Sequence, residues 1–150
     1  MADGKLNNKA FSEVVESALG YFVAQSWEWD YFPSFGSLVQ VESNNVIHIG
    51  CVTNIQTGSM DPMRYPFPYK KTEAELLAEQ PHIFEFLKTT FTAVDLGYIL
   101  NEQVFYRLPS QPCKIHSFVK ACDDDRKAEF LRSPDFLNVL FACSGKVEYF

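Results

Sequence analysis

Apolar and polar positions alternate most regularly between Phe35 and Gly58, in the stretch FGSLVQVESNNVIHIGCVTNIQTG. Val39 and Val41 alternate with Leu38, Gln40 and Glu42 ahead of Ser43-Asn44-Asn45. Beyond that turn, Ile47, Ile49, Cys51, Thr53 and Ile55 share one face, and His48, Gly50, Val52 and Asn54 the other. A period of two over both arms predicts an antiparallel pair with one face inward and one wetter. Asparagine tolerates positive φ, so Asn44-Asn45 can close the hairpin. Gly50 lies inside the second arm, where a glycine marks a bulge or a close backbone approach. A bulged, strongly twisted hairpin is what a small barrel needs at its corners.

The flanking patterns supply further elements. Phe11, Val14, Val15, Ala18 and Leu19 fall at helical spacing, which predicts a helix over residues 7–19, with Asn7 or Asn8 as its cap and Gly20 as its stop. Tyr21 to Trp29 alternates and is rich in aromatic and β-branched residues, as a strand is. Residues 57–71 contain Pro62, Pro66 and Pro68, too many prolines for a regular element, and read as a loop. Thr72-Glu73-Ala74-Glu75 is a capping box for a helix to about Gln80, and Pro81 can open a second turn carrying Ile83, Phe84, Phe86 and Leu87. From Thr90 the period returns to two, and Tyr98–Leu100 with Val104–Leu108 reads as a hairpin around Asn101-Glu102-Gln103. Lys114–Ala121 is a further predicted strand. Asp123-Asp124-Asp125 caps a helix through Leu131, and Ser133-Pro134 starts another to Cys143, with Gly145 ending it.

This order predicts an α+β fold: a small, mostly antiparallel β-barrel with peripheral short helices. One domain is expected over residues 1–150, with a C-terminal helical segment at about 123–145. Composition is consistent with that and narrows the function classes. Hydrophobic residues make up 47% and aromatics 15%, enough for a core and for aromatic anchors at a binding surface. The net charge of −6 and the dispersal of basic residues, with Lys70-Lys71 and Arg126-Lys127 only dipeptides, disfavour direct nucleic-acid binding. No apolar run has the length of a membrane span, and the polar start MADGKLNNK has no signal core. Cys51, Cys113, Cys122 and Cys143 then read as reduced thiols of a cytoplasmic protein.

Candidate chemistry is thin. Cys113-x-x-His116 with Cys122 offers three metal ligands, but a structural zinc site needs four, usually in close pairs, and Cys51, His48 or Cys143 could join only through the fold. Buried thiols are the simpler reading, and no metal and no cofactor are expected. A Cys/His nucleophile pair has no orienting Asn or Asp that the sequence singles out, and neither Glu85 nor Asp95 is paired by spacing with another carboxylate. Asp123–Asp125 could hold a divalent cation through its oxygens, and helix capping with a solvated turn is the simpler reading. No catalytic residue is assigned. Tyr65, Phe67 and Tyr69 stand out instead: they alternate between prolines, so an extended chain points all three the same way, as a docking surface. The competing expectation folds them back over the barrel mouth as a lid.

A family resemblance adds to this reading. Gly36–Ile55, with its polar turn and the I-x-x-G-x-V-x-x-I spacing of Ile47, Gly50, Val52 and Ile55, resembles the HAS-barrel, the N-terminal barrel of HerA-type hexameric ATPases, related to the N-terminal barrels of ATP synthase subunits. The likeness spans about residues 20–120. In this family a long excursion follows the first hairpin, and a strand ending in a Leu-Gly-Tyr-like step resumes the barrel, as Val94-Asp95-Leu96-Gly97-Tyr98 does here. Gly97 and Gly50 are thereby marked as structural glycines. Leu108-Pro109 to Val119 is similar to the strand that closes the family's barrel. A HerA-type motor carries G-x-x-x-x-G-K-[ST] after its barrel, and this chain has no such phosphate loop. The resemblance therefore implies a barrel without its motor, a non-catalytic protein–protein interaction or assembly module associated with a HerA-like DNA-processing ATPase. Its expected partner is a protein or a second copy of itself. The alternative is a small-molecule-binding barrel, or an enzyme with its site at the barrel mouth under the 57–71 loop.

Overall fold

The structure, a computed structural model, describes residues 9–144. Seven strands are arranged in the order β2-β1-β7-β3-β4-β5-β6, and β2 also pairs with β5. Six of them therefore close into an antiparallel barrel, with β6 outside as a flap on β5. They are β1 (Ser12–Ala18), β2 (Tyr21–Ser26), β3 (Leu38–Ser43), β4 (Val46–Ser59), β5 (Leu87–Leu100), β6 (Gln103–Phe105) and β7 (Phe118–Ala121). Three short helices flank the barrel: α1 (Glu73–Glu79), α2 (Asp124–Phe130) and α3 (Phe136–Ser144). This is the small α+β barrel that the alternation of residues 35–58 predicts.

The central hairpin closes on Asn44 and Asn45, both at positive φ (55° and 63°), the paired left-handed geometry that matches strand twist. Its register runs from Leu38 opposite Cys51 to Ser43 opposite Val46. The two faces of β4 are not one wet and one dry. His48, Gly50 and Val52 point into the barrel, where Val39, Val41, Phe22, Phe91, Ala93, Val119 and Phe11 form the inner core. Ile49 points outward into a second core with Leu38, Val94, Leu96 and Phe130, against which Ile47, Cys51 and Phe136 pack. Helices α2 and α3 supply the cover: Asp123 caps α2 by accepting from the Arg126 N–H at 2.7 Å, and Phe130 is fully buried.

The helix predicted over 7–19 is instead strand β1. Val14 pairs with Ala24 and Glu16 with Val23, so Val15 is an extra residue, and it is 40% exposed. A bulge of this kind shifts the alternation by one position, which gives Phe11, Val14 and Val15 a helix-like spacing. Gly20, at φ 98°, turns β1 into β2 rather than ending a helix. The barrel accordingly begins at Ser12, earlier than the resemblance over 20–120 implies. The proposed caps Asn7 and Asn8 and the stop at Gly145 lie outside the described residues.

Other bounds shift for local reasons. Strand β2 ends at Ser26, not Trp29, where the Tyr31 N–H donates to Glu28 O in a turn. Strand β6 stops at Phe105 rather than Leu108. Residues 114–117 form a turn with His116 at φ 71°, so β7 starts at Phe118 and slots between β1 and β3. Asn101 and Glu102, again at positive φ, make the β5–β6 turn.

Two glycines mark close approaches. At Gly50 a Cβ would stand 3.1 Å from Ala93 Cβ, 3.2 Å from Phe22 and 3.3 Å from Val94 O. The β4–β5 register also slips beside it, Ile49 facing Gly97 and Gly50 facing Asp95, with Leu96 as the extra residue. At Gly97 a Cβ would overlap the carbonyl oxygen of Phe105 and press on the Phe130 ring. Backbone cannot retreat as a side-chain tip can. Gly50→Val should cost about 1–3 kcal/mol as an overpacked core position, lowering the melting temperature by several degrees. Gly97→Ala should destabilise more than Gly50→Ala, because β6 must detach to admit the methyl. Thermal denaturation of the three variants checks both statements; equal melting of Gly97→Ala and the parent would refute the second.

Candidate functional site

The barrel has two ends, and the sequence places distinctive groups at each. At one end β4 and β5 outrun their neighbours. The last β2–β5 pair is Gln25 opposite Thr90, whereas β4 and β5 continue through Thr57–Thr89 and Gly58–Lys88 to Ser59–Leu87. The result is a two-stranded arm about 10 Å long, at ~3.3 Å per residue. The Thr57 and Thr89 hydroxyls meet across it at 2.7 Å, and Thr89 also donates to Trp29 O, which ties the arm to the barrel rim.

The arm carries residues 60–86. Thr72 caps α1 by accepting from the Glu75 N–H at 3.2 Å, and Pro81–Phe86 forms a six-residue 3-10 helix. Trp29 stacks on Phe84 at 5.6 Å, which seats that helix on the rim. Against it the 57–71 loop leaves a groove of about 520 Å³, whose lining includes Tyr65, Phe67, Tyr69, Ile83, Phe84 and Phe86. The three aromatics singled out by their alternation thus share one surface. They are neither lid nor core: Tyr65 is 89% and Phe67 68% exposed, Met63 beside them is 89% exposed, and none of the three joins a buried cluster. Tyr69 packs edge-on against Phe67 at 5.4 Å. Arg64 lies over the Phe86 ring at 4.6 Å and pairs with Asp61. Lys71 pairs with Glu79 of α1, so two of the loop's three cations are answered by carboxylates of the same excursion.

At the opposite end, where the β1–β2 and β3–β4 turns lie, three polar side chains meet inside the barrel. His48 from β4, Asp95 from β5 and Cys113 from the segment before β7 are all buried, and their ligating atoms lie within 4.8 Å of one another. Ser43 holds that segment in place by accepting from the Lys114 N–H at 3.1 Å. A cleft of about 300 Å³, lined by His48, Tyr98, Ser43, Pro109 and Gln111 among others, opens beside His48. Burial dominates the electrostatics. It pushes Asp95 up to about 7, against a favourable contact with the Gly20 backbone, and holds the His48 imidazole below its ordinary value. Cys113 is pushed up to about 12, by burial first and the Asp95 charge second.

This grouping differs from the one that spacing suggests. His116 is exposed and bonds Glu13 at 2.8 Å, which holds that carboxyl below its ordinary range. Cys122 belongs to the outer core under α2, with its thiol pushed up to about 11 by burial and then by Asp123. The Cys113-x-x-His116…Cys122 set is therefore dispersed, and the side chain of Cys143 lies outside the described ones. What the sequence did hold was Asp95 in the apolar run Phe91–Leu100, and His48 on the face that turns out to be interior.

A Cys-His-Asp trio invites a nucleophilic reading, which the environment opposes. A thiol buried in apolar surroundings with a raised pKa is inert. Cys113 should therefore add nothing to the fast phase of thiol labelling of the folded protein at neutral pH. Labelling time courses of the parent and Cys113→Ser should superimpose until denaturant is added; loss of a fast-reacting thiol in the variant would contradict this.

Among the described residues no helix is long and apolar enough to cross a membrane. No protein-family model matches the chain, and no curated protein is significantly similar to it.

Proposed function

We propose that this protein is a non-catalytic, barrel-type protein–protein interaction or assembly module, and that the 57–86 excursion is its docking element. One observation carries the reading: Met63, Tyr65 and Phe67 are exposed together on a groove that the arm and the Trp29–Phe84 stack fix at the barrel rim. A contiguous exposed apolar surface marks an interaction site more often than an idle one. Pro62, Pro66 and Pro68 limit the freedom that docking would remove, and aromatic rings supply contact area at low entropic cost. The resemblance to the HAS-barrel makes a HerA-like DNA-processing ATPase the preferred partner. The chain itself should not hydrolyse ATP, having no phosphate loop.

The alternative site at the barrel mouth under the 57–71 loop has less support. The convergent polar groups lie at the other end, and the groove near the loop is lined mostly by apolar and aromatic side chains.

The double variant Tyr65→Ser/Phe67→Ser should keep the parent's circular dichroism and melting temperature. It should weaken assembly by about 2 kcal/mol or more, roughly thirtyfold in Kd, as loss of two anchor residues does. Sedimentation velocity measures self-association, and co-purification with a HerA-like ATPase from the same organism measures the other partner. Unchanged assembly in both assays would remove the loop from the interface. Unfolding would return the aromatics to the core.

A further inference from the structure

Docking through the 57–86 excursion leaves the opposite end of the barrel without a role. The inner core there departs from the valines and phenylalanines that fill the rest of it. His48, Asp95 and Cys113 are 2%, 1% and 4% exposed. Nδ1 of His48 and Oδ1 of Asp95 have no hydrogen-bond partner. Buried polar atoms are almost always satisfied, so two orphaned side chains grouped with a thiol call for a third party that satisfies both.

The donor set says which kind. An imidazole nitrogen, a carboxylate oxygen and a thiolate sulfur are the three ligand types that zinc combines. With both acids ionised they carry two negative charges, so a divalent cation leaves a neutral centre, the state a low-dielectric interior tolerates. The three groups come from β4, β5 and the segment before β7, and β3 holds that segment through Ser43. Closure of the barrel therefore assembles the set. Ligand atoms around a tetrahedral zinc stand about 3.3–3.8 Å apart, from bond lengths of ~2.0–2.3 Å. The present atoms lie within 4.8 Å, a gap that side-chain rotation of about one ångström closes. A cleft of about 300 Å³ reaches the set at His48, the one of the three residues that lines it.

We infer that His48, Asp95 and Cys113 form a three-ligand site for a divalent transition metal of the zinc class, seated in the barrel interior and reached through the cleft between the Ser43 turn and Pro109–Gln111. The ion clamps β4, β5 and the 106–117 segment at the end away from the docking arm. Binding releases the Cys113 proton to solvent.

Cobalt(II) titration of the full-length chain after chelator treatment tests the site. One equivalent should saturate, giving the charge-transfer band of a cobalt–thiolate bond and visible bands of tetrahedral character, and zinc should displace it and raise the melting temperature. Cys113→Ser should abolish the charge-transfer band. His48→Gln, which keeps the thiolate, should weaken cobalt binding at least tenfold. Cys122→Ser and His116→Gln should bind as the parent does. A parent chain with no cobalt–thiolate band overturns the site whatever the variants do. So does a band that survives Cys113→Ser, disappears in Cys122→Ser, or is unaffected by His48→Gln.

Discussion

Everything in this molecule depends on the pairing of β2 with β5, from Tyr21 opposite Val94 to Gln25 opposite Thr90. Without it the six strands are an open sheet with β2 at one edge, and the inner core of Phe22, Phe91 and Val41 would face water. With it, no stave has a free edge inside the barrel, and a polar set can be enclosed on all sides. The close approach at Gly50 lets Phe22 cross the lumen toward β4, and the extra residues at Val15, Thr53 and Leu96 take up the curvature that closure imposes.

The central hairpin was legible because every local signal agreed there: strict alternation, a turn pair able to adopt positive φ, and a glycine at the tight approach. The first strand was not, because a bulge is a long-range consequence of barrel curvature and leaves a local trace resembling a helix. The capped helices were legible at their starts, since Thr72 and Asp123 act within one turn. Which face of β4 is interior could not be read from β4 alone. The face of Ile47, Ile49 and Cys51 looks like the core, and it is one, but it is the outer core beneath α2 and α3, while Ile55, past the extra Thr53, turns to the inner core. That assignment is made by residues seventy or more positions away.

The same reasoning separates the two candidate sites. Tyr65, Phe67 and Tyr69 were found because a short proline-bounded repeat sets their direction locally. His48, Asp95 and Cys113 were missed because their proximity exists only in the folded barrel; in sequence they stand 47 and 18 positions apart. The barrel thus keeps its two candidate sites apart, an exposed apolar surface on an arm at one end and a buried polar set at the other, with the inner core between them.

The position of β7 has a consequence for biosynthesis. It lies between β1 and β3, pairing Ser12 with Val119 and Val41 also with Val119, so one late residue bridges two strands from the first third of the chain. During translation the first five strands can emerge and pair, yet β1 and β3 must wait with open edges until Ala121 leaves the ribosome. Such distant pairing makes folding slow and prolongs the exposure of unpaired strands. The nascent chain is most prone to aggregation after β5 has emerged, and a chaperone acting on it has its natural substrate in that interval.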